Sequence, residues 1–436
     1  MSHQEIDVLV VGGGQAGLAV SEHLGDQGIP HLVLERHRIA ERWRSERWDS
    51  LVANGPAWHD RFPSLELVDV DPDAFASKEQ VASYFSAYAD KIGAPIRCGV
   101  EVLSVQRNTG RSGFHVETSE GTIEARFIVS ATGPFQKPVI PAIVPDGAVP
   151  VQIHSSSYRN PQQLPDGAVM VVGAGSSGVQ IADELRQSGR AVYLSVGPHD
   201  RPPRAYRGRD FVWWLGVLGL WDEEAPAHGA EHVTIAVSGA HGGHTVDFRA
   251  LARRGVELVG RTAAFDQGTL RFAPDLSENI AGGDANYLSL LDAADAYVVD
   301  NGLDLPEEPR ARVLGADPRC VTDPLLELDL AAAGVTSIVW ATGFSTDFSW
   351  LQVDAFDGEG RPKHRRGVSS EPGVYFLGLP WLSRRGSSFI WGVWHDAKHV
   401  ADHMATQRGY LAYETARATP SPIESNAGSP TMSARQ

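Results

Sequence analysis

Twice along the chain, a short run of strand-forming apolar residues ends in a glycine turn that opens an apolar-periodic helix. Ile6-Asp7-Val8-Leu9-Val10-Val11 leads into Gly12-Gly13-Gly14-Gln15-Ala16-Gly17 and a helix from Leu18. Ala168 to Val172 leads into Gly173-Ala174-Gly175-Ser176-Ser177-Gly178 and a helix from Val179. The G-x-G-x-x-G spacing lets backbone approach a pyrophosphate, whose charge the helix N-terminus stabilises. Each turn has its own second strand, His31 to Leu34 and Ala191 to Val196. An α/β chain with two Rossmann-like dinucleotide-binding domains is therefore expected.

The two copies differ at the end of that second strand. In the first, Glu35 stands where a carboxylate accepts from a ribose hydroxyl. In the second, Ser195-Val196 replaces the acid, and Arg201, Arg204, Arg207 and Arg209 come soon after. That pattern suits a ribose 2′-phosphate and predicts NADPH, with a solvated basic loop or an ion-paired surface as the alternative. Two such domains imply hydride passage from a nicotinamide to a second carrier, FAD, in the first.

A proline-rich stretch from Pro134 to Pro165 places a boundary near residue 150. Ala131-Thr132-Gly133 and Ala341-Thr342-Gly343 each come after a strand and are small-residue turns that let backbone near a cofactor. The second is read as a return to the first domain. The expectation is a discontinuous FAD domain, 1–148 and 312–417, with an NADPH domain, 149–311, inserted. Residues 418–436, rich in Ser, Pro, Ala and Thr, are read as a disordered tail.

A formal charge of −16 disfavours nucleic acid and anionic lipid as partners. Cys98 and Cys320 form no C-x-x-C, arguing against a redox dithiol or thiolate metal site. With no leader in front of Ile6, they point to a reducing, cytoplasmic setting. The most membrane-like run, Phe211 to Trp221, is too short for a span of roughly 20 residues, so it is expected to cover a pocket or pack between domains. His228-Gly229-Ala230-Glu231-His232 matches H-x-x-E-H, but Pro226 and Gly229 oppose the required helix, so no metal is expected.

The residues resemble the class B flavin-containing monooxygenases over nearly the whole chain except the tail. The resemblance rests on the paired glycine turns, Glu35 with Arg36, Trp43 with Arg44, both Ala-Thr-Gly turns, and His154 to Tyr158. His154 and Tyr158 match the family fingerprint, while Ala148 and Pro150 replace its Phe and Gly, leaving the subgroup open. The family implies Asn54 as the active-site asparagine, its amide suited to holding an oxygen species or substrate. Trp58, His59 and Phe62, then Trp213, Trp214, Trp391, Trp394 and His395, are candidates for the pocket, with Trp58, His59 and Trp394 assigned to substrate. Asp396 is read as the start of the last helix, whose N-terminus would face the reduced flavin.

The implied reaction is NADPH reduction of FAD, capture of O₂ as a C4a-(hydro)peroxyflavin, and transfer of one oxygen atom to a small amine or sulfide. Baeyer-Villiger oxygenation of a ketone, with Arg204 or Arg207 as the stabilising cation, is one alternative. An NADPH-dependent flavin reductase or electron carrier is another. A homodimer stays open as the assembly.

Overall fold

The computed structural model describes residues 3–225 and 234–418. The H-x-x-E-H segment and residues 419–436 of the expected tail lie outside it. Among the described residues, two parallel-centred sheets carry the fold, and each glycine turn sits at the C-terminal end of a central strand.

In the first sheet His3–Val11 lies between Gly121–Ser130 and His31–Glu35, parallel to both. Helix α1 (Gln15–Asp26) leaves the first glycine turn. Short helix α2 (Glu41–Ser45) and α3 (Lys78–Lys91) come next, and α3 begins at a capping box formed by Ser77 and Gln80. An antiparallel meander, Val102–Arg107, Phe114–Thr118 and Gly121–Ser130, extends the sheet on one side. Val374–Phe376 pairs in parallel with Gly121–Ser130, bringing late sequence back beside the first turn.

The second sheet runs Val256–Val259, Val192–Ser195, Ala168–Val172, Val335–Trp340, Val151–His154, all in parallel register. Ala168–Val172 is buried throughout, as its unbroken apolar sequence requires for a strand covered on both faces. Helix α4 (Ser176–Gln187) leaves the second turn, and α5 (Phe211–Val217) is N-capped by Asp210. Helices α6 (Phe248–Arg253), α7 (Leu276–Asp300) and α8 (Arg319–Thr322) complete this half. The long α9 (Ile390–Ala418) packs against α1.

Two expectations are corrected. Val335–Trp340 pairs with Ala168–Val172 and Val151–His154, so the chain is still in the second sheet at residue 340 rather than having left it at 312. Ala341-Thr342-Gly343 is therefore the second half's counterpart of Ala131-Thr132-Gly133. Helix α9 begins at Ile390, so Asp396 lies in its second turn, buried, with Oδ1 accepting from Ser383. No helix among the described residues is long and apolar enough to cross a membrane.

Candidate active site

The two glycine turns share one construction. Gly12 and Gly173 have φ of 113° and 103°, in the left-handed region. A Cβ on either would stand 2.6 Å from the Ala131 carbonyl oxygen or 2.5 Å from that of Ala341. A side chain on Gly17 or Gly178 would collide with the carbonyl of Gly12 or Gly173, so the third glycine seats the helix on its own turn. Gly14 and Gly175 are the N-caps of α1 and α4, and neither helix start has a side-chain cap. The first N–H groups of both helices are left for an anion.

A connected cleft of about 2020 Å³ reaches both turns, touching Gly12, Gly14, Gln15 and Ala16 on one side and Gly175, Ser176 and Ser177 on the other. Ordinary small-molecule pockets are roughly 300–1,000 Å³, so this one has room for two cofactor-sized molecules. On the first side Glu35, Arg36 and Trp43 line it, with Thr132 and Gly133. The Glu35 carboxylate accepts from Gly13 N–H at 2.8 Å and His37 N–H at 2.9 Å, which fixes it at the strand end. A Cβ at Gly14 would meet no protein atom within 4 Å, leaving the open cradle a pyrophosphate needs. These residues fit FAD, and the α4 turn fits the pyrophosphate of a nicotinamide nucleotide.

Asn54 lines the cleft where the halves meet. Its Oδ1 accepts from Gln180 Nε2 of α4 at 3.0 Å, and its backbone carbonyl accepts from Arg204 Nη1 at 2.7 Å. With the side-chain carbonyl engaged, the NH₂ is the group Asn54 can offer a ligand. Gln180 belongs to no motif, although its i+4 relation to Ser176 puts both on one face of α4. The apolar wall beside Asn54 comes from Phe211, Val212, Leu215, Trp221, Phe389 and Ile390. The α9 N-terminus thus opens on the cleft, tied to α1 by Gln15 Nε2 donating to the Ser388 carbonyl at 2.7 Å. His59 also lines the cleft, with Nδ1 2.9 Å from Asp60 Oδ1.

Arg47 is a second cleft residue that no sequence motif marks. It lines the cleft, half-buried, with its guanidinium over Phe135 and Nη1 donating to the Glu46 carbonyl at 2.9 Å. Burial brings its pKa down to about 10, so it remains a cation at neutral pH.

Several of the expected ligand contacts are used elsewhere. Arg201 is buried against Asp284, which Arg249 also pairs, and Arg204 is buried against Asp210 at 2.6 Å. Neither guanidinium is presented to a 2′-phosphate, and Arg207 is likewise paired with Asp295. Ser195 is buried, its hydroxyl donating to Gly260 O and accepting from Thr262 N–H. Arg44 fastens α2 to Ala82 and Ser86 of α3, and Thr342 donates to the Val139 carbonyl, while Ala341 and Gly343 line the cleft. Trp394 lies between α1 and α9, stacked edge-on with His23 and donating to Glu22, away from the cleft. Trp58 is 36% exposed and outside the lining, and Trp213 and Trp214 pack against Tyr297. His154 joins the halves' connection by bonding the Gly343 carbonyl, and Tyr158 donates to Glu184.

The pyridine nucleotide-disulphide oxidoreductase family matches residues 9–205. A CzcO-like oxidoreductase of Geobacillus kaustophilus is 34% identical over 91% of this chain and 97% of its own length. A protein of Arabidopsis thaliana described as "Probable indole-3-pyruvate monooxygenase YUCCA4" is 24% identical over 92% of this chain and 90% of its own. A flavin-containing monooxygenase from Stenotrophomonas maltophilia has the same fold, with a TM-score of 0.64 at 19% identity, covering 93% of this chain and 99% of its own. The chain belongs with the CzcO-like oxidoreductases and has the fold of the flavin-containing monooxygenases.

Proposed function

We propose that this enzyme uses NADPH and O₂ to transfer one oxygen atom to a small nucleophilic nitrogen or sulfur compound, through a C4a-(hydro)peroxyflavin. The observation that carries this reading is one cleft that reaches both nucleotide turns and is lined as well by Asn54 and the apolar side chains of Phe211, Val212, Leu215 and Trp221. FAD, when bound, supplies hydride acceptance and oxygen activation.

The protein's part is to bind, orient and exclude water. The α1 N-terminus and Gly14 backbone hold the flavin pyrophosphate, with Glu35 on the ribose. The α4 N-terminus, with Ser177, holds that of NADPH. Asn54, fixed by Gln180 and Arg204, donates from its NH₂ to the oxygen to be transferred, and the wall from Phe211 to Trp221 keeps that region dry. We assign the flavin to residues 3–148 and 344–418, and the nicotinamide nucleotide to 149–343.

A Baeyer-Villiger course calls for an available cation, and the two arginines expected to supply it are each paired with a carboxylate. Arg47 is a cleft cation left for that course, and the parallel assay decides between the two. The test supplies the holoenzyme with NADPH, isotopically heavy O₂, and a thioether or a cyclic ketone in parallel. Labelled sulfoxide with unchanged ketone is expected. Labelled lactone alone would select the ketone reaction, and unlabelled products with steady NADPH oxidation would make the protein a reductase.

A further inference from the structure

The compartment beside Asn54 contains one titratable side chain whose surroundings the proposed chemistry does not explain. His59 is 6% exposed, stacks with Trp221 and Trp391, and belongs to the cleft wall. Its Nδ1 meets Asp60 Oδ1 at 2.9 Å, while Asp60 Oδ2 accepts from Gly55 N–H at 3.0 Å. Its Nε2 is buried with no hydrogen-bond partner. The pair is tightly built, since a Cβ at Gly55 would lie 2.6 Å from the Asp60 carboxyl carbon.

A carboxylate oxygen facing Nδ1 accepts from it, so in the neutral ring Asp60 selects the tautomer with the proton on Nδ1 and leaves Nε2 as a lone-pair acceptor. The Nε1–H of Trp221, which stacks on the ring, is already given to the Val212 carbonyl. A buried acceptor left unmatched is destabilising, and a ligand bearing a donor removes that penalty. We propose that His59, set by Asp60, determines specificity by accepting a hydrogen bond from an N–H or O–H on an otherwise apolar, aromatic substrate, which reaches Nε2 as the side chains that seal it part. This rests on the reading of the apolar compartment as the substrate site.

Asp60→Asn offers a test with a directional outcome. Gly55 N–H still requires an acceptor, so the new amide turns its oxygen there and its NH₂ toward Nδ1. The imidazole proton then moves to Nε2, and the acceptor becomes a donor. Binding of naphthol, its methyl ether and quinoline to the oxidised FAD holoenzyme is measured by calorimetry, without NADPH. Wild type is expected to favour naphthol over the ether by roughly 3- to 10-fold relative to His59→Leu, the range of one net hydrogen bond. Asp60→Asn should erase that preference and bind quinoline tighter by a similar factor.

A naphthol preference surviving in His59→Leu overturns the proposal. So does a wild-type ratio in an Asp60→Asn protein that retains FAD, or wild-type enzyme that binds none of the probes. If Asp60→Asn does not fold, the His59→Leu comparison decides. Because no turnover is involved, failure of oxygenation leaves the result intact, and observed oxygenation without the preference counts against this inference alone.

Discussion

Gly14→Ala separates cofactor binding from folding. Gly14 has φ −89° and ψ −166°, which alanine adopts freely, and its added methyl would meet no protein atom within 4 Å. The apoprotein is expected to keep its stability, or gain up to about 1 kcal/mol from a less flexible unfolded chain. The methyl carbon needs about 3.5–4.0 Å to its neighbours, so phosphate oxygens near 2.9 Å from the turn's N–H groups are pushed out by on the order of 1 Å. Losing two charge-assisted bonds of roughly 1.5–3 kcal/mol each weakens FAD binding by about 10²- to 10⁴-fold. Gly17→Ala instead drives its methyl into the Gly12 carbonyl and should lower apoprotein stability as well. Fluorescence titration of deflavinated protein with FAD gives the affinity, and thermal melts of the same samples give the stability. Gly14→Ala protein that binds FAD like wild type, or melts as low as Gly17→Ala, would refute the assignment of this turn to the pyrophosphate.

Asn54→Ala should lower the fraction of NADPH recovered as oxygenated product by roughly 10²-fold, as for loss of one preorganised donor, with peroxide release rising. Gln180→Ala should give a smaller loss of a few-fold, and unchanged coupling in both would remove Asn54 from the site. Asp210→Ala leaves the buried Arg204 cation unpaired, so denaturant unfolding should record a loss of about 3–5 kcal/mol; a loss below about 1 kcal/mol would contradict the buried pairing. Burial lowers the pKa of His23, His31, His154, His199 and His364 below the ordinary 6.5. The unfolded chain then binds more protons between the folded values and 6.5, so this stability is present above 6.5 and lost as pH falls through that window. Melting temperature should drop on acidification from about pH 7 to about pH 5, and a flat profile would count against neutral burial of these rings.

The glycine turns and Glu35 were legible because their evidence is local: a strand, a fixed glycine spacing and a helix lie contiguous in sequence. Asn54 was reached through the family resemblance, since an Asn-Gly-Pro turn by itself carries no chemistry. The role of the arginines was hidden because their partners are distant in sequence. Arg201 finds Asp284 and Arg249 across α7 and α6, so three of the four arginines that read as phosphate ligands, Arg201, Arg204 and Arg207, are held in ion pairs within the fold. The duplicated Ala-Thr-Gly misled for a related reason. Each copy comes after a strand beside its own glycine turn, and only the pairing of Val335–Trp340 with Ala168–Val172 tells which half the second belongs to. Trp394 and Trp58 show that an indole close in sequence to a site need not face it, since helix phase and loop direction decide. Arg47 lacked any motif, and its place in the cleft wall emerges only from the fold.

Whether reduced flavin in this cleft activates oxygen for transfer, rather than passing electrons onward, is decided most directly by rapid mixing. Holoenzyme reduced by NADPH without oxygen is mixed with aerated buffer while the flavin spectrum is followed, with and without a thioether. The expected result is an oxygen-dependent intermediate that persists alone and decays faster, with sulfoxide formed in equal amount, when the thioether is present. Direct return to oxidised flavin at the same rate in both cases, with all the oxygen recovered as hydrogen peroxide, would contradict oxygen transfer.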